Sequence, residues 1–244
     1  MVTIAIHQPE HHPWLGFFKK MSQVDIFVFF DDVQYRSNGY QNRNYIKTNT
    51  EKTLLSVPVL SKFDSKINQV KIDQTKHWAK KHKKSIIMNY SKTDFFEEYK
   101  NKIEEIYETE YEYLVELNAN IIKFFSNELK IKSKIVFSSS LNLDGSSPKK
   151  ILEICKKFNA DKYISGIHWG LENLDLKEFL DNGIEIEFQK FFHPTYKQFH
   201  TPFIPNLSTL DLILNEGKNG QKIVEESKVE IIKKTNEKNR NYEI

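Results

Sequence analysis

The chain has 244 residues, 39% of them apolar and 13% aromatic, which supports a sizeable core and excludes intrinsic disorder. Its 36 basic and 33 acidic residues leave a net charge of +3, too mild for a nucleic-acid binder without a concentrated patch. The single Cys155 excludes an internal disulfide, and no apolar run approaches the roughly 20 residues of a membrane span. The first residues lack the basic and apolar regions of a signal peptide. The expectation is a cytoplasmic protein with no membrane insertion and no nucleic-acid partner.

In chain order, "VTIAIH" reads as a buried strand ending on His7. "QPEHHP" breaks it with two prolines. Trp14, Leu15, Phe17, Phe18 and Met21 then recur at helical spacing. "DIFVFF" is a second buried strand, ending on Asp31 and Asp32, so the opening predicts a βαβ unit with a parallel pair. "YQNRNYIK" is polar and amide-rich and reads as a hydrogen-bonded loop or a recognition segment. "TLLSVPVL" and "INQVKI" read as strands, and residues 76–130 as helices with solvated Lys/Glu faces. Strand "KIVFSSSL", helix "SSPKKILEICKKF" with Ser147 as cap and Pro148 in its first turn, strand "DKYISG", helix "LDLKEFLDNG" and strand "IEIEFQKF" follow. Cys155 falls on the apolar face of its helix, as an inert buried thiol does. Ser208 reads as a helix cap with Asp211 as its capping-box-like partner. The Lys/Asn/Glu-rich tail after Gly217 reads as peripheral. The fold class is α/β: an open, mainly parallel Rossmann-like sheet in one domain over residues 1–244, with a helical insertion at about 76–130.

Ligands of open α/β sheets bind beyond the carboxyl ends of the strands. There stand His7 and Gln8, Asp31 and Asp32, Ser138 to Ser140, and Ser165 and Gly166. His7, His11 and His12 match no strong metal-ligand spacing, so no metal is expected. His7 suits acid–base work or phosphate contact, against the plainer reading of a neutral imidazole fixed by the backbone. Asp31 and Asp32 suit a cation, a ribose hydroxyl, an amine or a base, unless they cap the turn. Arg43 offers a fork for phosphate or carboxylate, and Asn42 and Asn44 offer paired donors and acceptors.

The stretches "IHQPEHHPWLGFFKKM", "VFFDDVQY", "QNRNYIK", "VPV", "YISG", "GIEIEFQ" and "FIPNLSTLDLILNEG" occur in order from residue 4 to about residue 217. Together they resemble the WbqC-like family of bacterial proteins. The resemblance implies a role in O-antigen and surface-polysaccharide biosynthesis and points to His7, Gln8, Trp14, Asp31, Asp32, Gln34, Gln41, Asn42, Arg43, Asn44, Ser165 and Gly166. Leu174 stands where family members often carry a tyrosine. The expected function is N-acyl or aminoacyl transfer to a nucleotide-linked amino sugar. His7 or Asp32 would be the base, Asn42 and amides near Gly166 the oxyanion donors, Arg43 the diphosphate ligand and an acyl or aminoacyl donor the co-substrate. The alternatives are an adenylating or nucleotidyl-transfer enzyme using ATP and Mg²⁺, and a noncatalytic sugar-nucleotide binding protein.

Overall fold

The computed structural model describes residues 1–232. The opening apolar runs form β1 (Thr3–His7), α1 (Leu15–Met21) and β2 (Ile26–Phe29). Two antiparallel ribbons follow: β3 (Arg43–Lys47) with β4 (Lys52–Ser56), then β5 (Val59–Leu60) with β6 (Lys71–Ile72). Helices α2 (Trp78–Tyr90), α3 (Phe96–Glu108) and α4 (Leu114–Glu128) occupy most of the segment read as a helical insertion. The chain then returns to the main sheet through β7 (Lys134–Phe137), α5 (Ser147–Lys157), β8 (Lys162–Gly166), α6 (Ile167–Asn173), α7 (Leu176–Asp181) and β9 (Glu185–Phe191). It closes with α8 (Thr209–Glu216), α9 (Asn219–Glu226) and β10 (Val229–Ile232).

The main sheet runs β10-β9-β8-β1-β2-β7, parallel except for β10. Counted from the β7 edge, its six strands therefore stand in chain order 3-2-1-4-5-6, and the direction of winding reverses between β1 and β8. Both faces are covered, as a parallel sheet requires. Alternation along the strands sends Ala5, Phe27, Phe29 and Ile164 into a core shared with α1 and the three insertion helices. Ile4, Ile6, Val28 and Tyr163 go into a second core under α5 and α7, which also holds Cys155. Burial pushes the Cys155 thiol up to about 12, and Leu174 is a buried member of this second core.

Two expectations are corrected. Arg43–Lys47 is a strand rather than a loop, because Asn44 and Ile46 point inward together and the buried amide of Asn44 finds backbone partners that offset its poor strand propensity. The segment after Gly217 is part of the fold: Val224 is buried, and β10 pairs antiparallel with β9 at the sheet edge. Residues 233–244 of that tail, and of the expected 1–244 domain, lie outside the described residues.

Candidate functional site

The carboxyl ends of β1 and β8 diverge where the winding reverses, and a cavity of about 520 Å³ opens there. Ile6, Phe30 and Tyr163 give it an apolar floor. Around them stand His7, Gln8 and Glu10 from the end of β1, and Lys20 from α1. Gln34, Arg36, Tyr40 and Gln41 come from the segment after β2, and Ser165, Gly166 and Trp169 from the β8–α6 junction. Gly170 keeps this wall open: a Cβ there would stand 2.3 Å from Ser165 Oγ.

His7 Nδ1 lies 3.0 Å from the carbonyl of Gln8. A carbonyl only accepts, so Nδ1 carries the proton and Nε2 keeps its lone pair. Burial, with the nearby Lys20 charge, drives the His7 pKa down to about 3 against the favourable bond to Gln8. The imidazole is therefore neutral at physiological pH. Glu10 Oε1 is 3.9 Å from His7 Nδ1, and burial pushes the Glu10 carboxyl up to about 7 despite the attraction of Lys20. Burial lowers Lys20 to about 8, opposed by Glu10. Three groups with strongly displaced pKa values thus share one cleft, which makes it the candidate functional site. Gln41 Nε2 donates to Gln8 Oε1, joining the two cleft loops.

The loop after β1 faces two ways. Gln8 and Glu10 face the cavity, whereas His11 and His12 are buried beneath it among Tyr107, Phe125 and His82. His12 adopts a left-handed φ of 47°, held by Asn44 Nδ2 donating to its carbonyl and by its own Nε2 at 2.8 Å from the Tyr107 hydroxyl. Asn118 of α4, fully buried, donates to the carbonyls of Pro9 and Gln41 and accepts from His11 Nδ1. No group of three or more His, Cys, Asp or Glu side chains among the described residues is arranged to hold a metal ion.

His7, Gln8, Gln34, Gln41, Ser165 and Gly166 thus line one cavity. Six other candidates stand elsewhere. Asp31 is buried and accepts from the amide and hydroxyl of Ser139 and from Ser138. Asp32 lines an adjoining cavity of about 300 Å³ and is paired with Lys150. Against the cost of burial, hydrogen bonds from Lys150 and Ser138 hold its carboxyl below the ordinary carboxylate range. Asn42 donates to the Val57 carbonyl, and Asn44 accepts from the Tyr45 amide. Arg43 is engaged by Asn38. The Trp14 ring packs edge-on against Phe191, over Gly16, where a Cβ would stand 2.5 Å from the ring. Sequence reasoning missed Glu10, Lys20 and Arg36. Lys20 left a signal, since it falls three residues after Phe17 and so on the apolar face of α1.

Residues 8–223 match the model of the WbqC-like protein family. The chain is also similar to Uncharacterized protein Rv1507c of Mycobacterium tuberculosis (strain ATCC 25618 / H37Rv), 32% identical over 221 residues. That alignment covers 89% of this chain and 95% of the relative. No solved structure matches.

Proposed function

The chain belongs to the WbqC-like protein family, and from that membership and the cleft at the β1–β8 reversal we propose a cytoplasmic transferase of bacterial O-antigen and surface-polysaccharide assembly. Its substrate is a nucleotide-linked amino sugar, and the reaction is N-acyl or aminoacyl transfer. The carrying observation is the neutral His7, with its Nε2 lone pair free, in a cavity of about 520 Å³, a size suited to a small ligand. We read the sheet as Rossmann-like, which puts the nucleotide across the reversal.

In this mechanism the sugar amine attacks the acyl carbonyl while His7 Nε2 takes its proton. The tetrahedral intermediate then breaks its C–S or C–O bond to the donor, and the thiol or alcohol leaves with the proton that His7 returns. The Gln8 carbonyl, which accepts from Nδ1, fixes the ring and stabilises the imidazolium as it forms. Backbone amides near Gly166 face the developing oxyanion. Arg36, which lines the cavity where Arg43 does not, takes the diphosphate through its planar fork. Asp32, already paired with Lys150, is left as a structural anion.

Mass spectrometry of the purified protein with a panel of amino-sugar nucleotides and thioester or aminoacyl donors tests the reading. One pair should give an N-acylated sugar, and His7→Asn should slow it by about 10²–10⁴-fold, the usual contribution of a general base, with an unchanged melting temperature. No product from any pair, or full activity in His7→Asn, would refute it. The cluster of Lys20 and Arg36 at the reversal favours a second reading, an adenylating enzyme using ATP and Mg²⁺. It predicts pyrophosphate release with a carboxylic acid and no thioester requirement. Sugar-nucleotide binding with no conversion would leave a noncatalytic binding protein.

A further inference from the structure

Four lysines are buried among the described residues: Lys19, Lys20, Lys47 and Lys150. Lys19 donates to the Glu225 carbonyl, Lys47 to the Pro202 carbonyl and Lys150 to Asp32. Lys20, only 6% exposed and lining the cavity, has no hydrogen-bond or ion-pair partner among the described residues. Its stem is buried, but Nζ is not among the polar atoms sealed from solvent, so its hydrogen bonds go to cavity water that an anion can replace. Glu10 lines the same cavity and attracts Lys20 without bonding it, and its Oε2 is sealed from solvent and unpartnered.

We propose that Lys20 is the anion anchor of the cleft: a phosphate or carboxylate oxygen of the ligand replaces the cavity water on its ammonium, and Glu10 takes up a proton as that anion docks. An anion beside Lys20 repels the Glu10 carboxylate, whose sealed oxygen has nothing else to stabilise its charge, so a solvent proton neutralises it. The other ionisable groups lining the cavity are His7 from β1, Arg36 and Tyr40 from the segment after β2, and Tyr163 from β8. Burial depresses His7 and raises Tyr163, and arginine stays charged. Proton uptake near neutrality therefore belongs mainly to Glu10, near 7, with a smaller share from Lys20, whose value near 8 a docked anion raises. The inference rests on the cleft as the ligand site but not on the transfer chemistry.

Calorimetric titration of the full chain at a pH of about 7.5 with UDP, and separately with acetate, distinguishes the phosphate from the carboxylate source. Repeating each in two buffers of different ionisation enthalpy counts the protons taken up. At least one ligand should bind with net proton uptake. Lys20→Gln should weaken it about tenfold or more, the effect of losing a charged hydrogen bond, without lowering the melting temperature. Glu10→Gln should keep the binding and remove the larger part of the uptake. Unaltered affinity in Lys20→Gln, undiminished uptake in Glu10→Gln, or no binding of either ligand overturns the proposal. Should Lys20→Gln fail to fold, the proton count of Glu10→Gln still decides. Lys20-dependent binding without any sugar conversion would retain the anchor and end the transfer reading.

Discussion

Under the proposed transfer Glu10 and His7 titrate in different ranges, which makes pH informative. His7 stays neutral from about pH 3 upward, so its own titration lies outside the working range. Glu10 titrates near 7, and its ionised form opposes an anion docking beside Lys20. The rate kcat/KM for amine acylation should therefore fall as pH rises through about 7, and Glu10→Gln should remove that limb. A pH–rate profile identical in the two proteins would disconnect Glu10 from catalysis. Asp211 carries the opposite kind of role. It accepts from Tyr90, Tyr196 and Gln198 while fully buried, and the hydroxyl of Ser208 caps α8 by accepting from the Leu210 amide. The capping-box role expected of Asp211 is replaced by a clamp between α2, α8 and the 196–198 segment. Asp211→Ala should cost about 3–5 kcal/mol in urea unfolding, because three donors lose their buried acceptor. A loss below about 1 kcal/mol would show that water replaces the carboxylate. Local pattern could not distinguish these roles, since the partner Tyr90 is 121 residues away in sequence.

At the level of elements, the loop after β1 and helices α2, α3 and α4 share a set of buried imidazoles. Burial holds His12 near 3 and His82 near 4, and holds His11 well below the ordinary 6.5. Their folded pKa values lie below the unfolded one, so their contribution to stability is complete above pH 6.5 and is lost as pH falls toward 4. Glu10 and Asp211, both raised by burial, act with the opposite sign: their contribution is complete below the unfolded carboxylate value and is lost as pH rises. For Glu10 that loss runs through pH 7. A histidine moved from 6.5 to about 4 contributes roughly 3 kcal/mol, so three imidazoles outweigh two carboxyls. Urea midpoints should fall steadily between pH 6.5 and 4.5, and His82→Phe should flatten that fall. A flat profile in the native protein would contradict the buried neutral histidines. The strands and helices around this cluster were readable because their periods are strong. The clustering was not, since His82 meets His11 across the packed insertion.

For the whole molecule, the 3-2-1-4-5-6 order and the reversal between β1 and β8 follow from which apolar runs pair, and no single run encodes that. Strand ends were legible, and His7, Gln8, Ser165 and Gly166 reached one cavity through that rule alone. In the "QNRN" stretch Gln41 lines the cavity, whereas Asn42 and Asn44 bond backbone carbonyls: Asn44 reaches that of His12, 32 residues back, and no local pattern records such a bond. Asn118 is the same device at larger scale, tying α4 to both loops that form the cleft rim. Asn118→Ala should cost about 3 kcal/mol, the loss of three buried hydrogen bonds, and should raise KM in the protein that remains folded. Urea unfolding beside steady-state kinetics measures both, and a normal KM would mean the rim holds its shape unaided.

The two-sided loop after β1 has a consequence for how variation in this chain is read. Its cavity side and its buried side alternate over a few residues, so the helical insertion and the cleft cannot drift independently. A selection scored only on product formation would recover Asn118, Tyr107 and His82 beside His7 and Glu10, although none of the first three lines the cavity. Grafting the insertion of one relative onto the sheet of another should therefore succeed only when the loop travels with it.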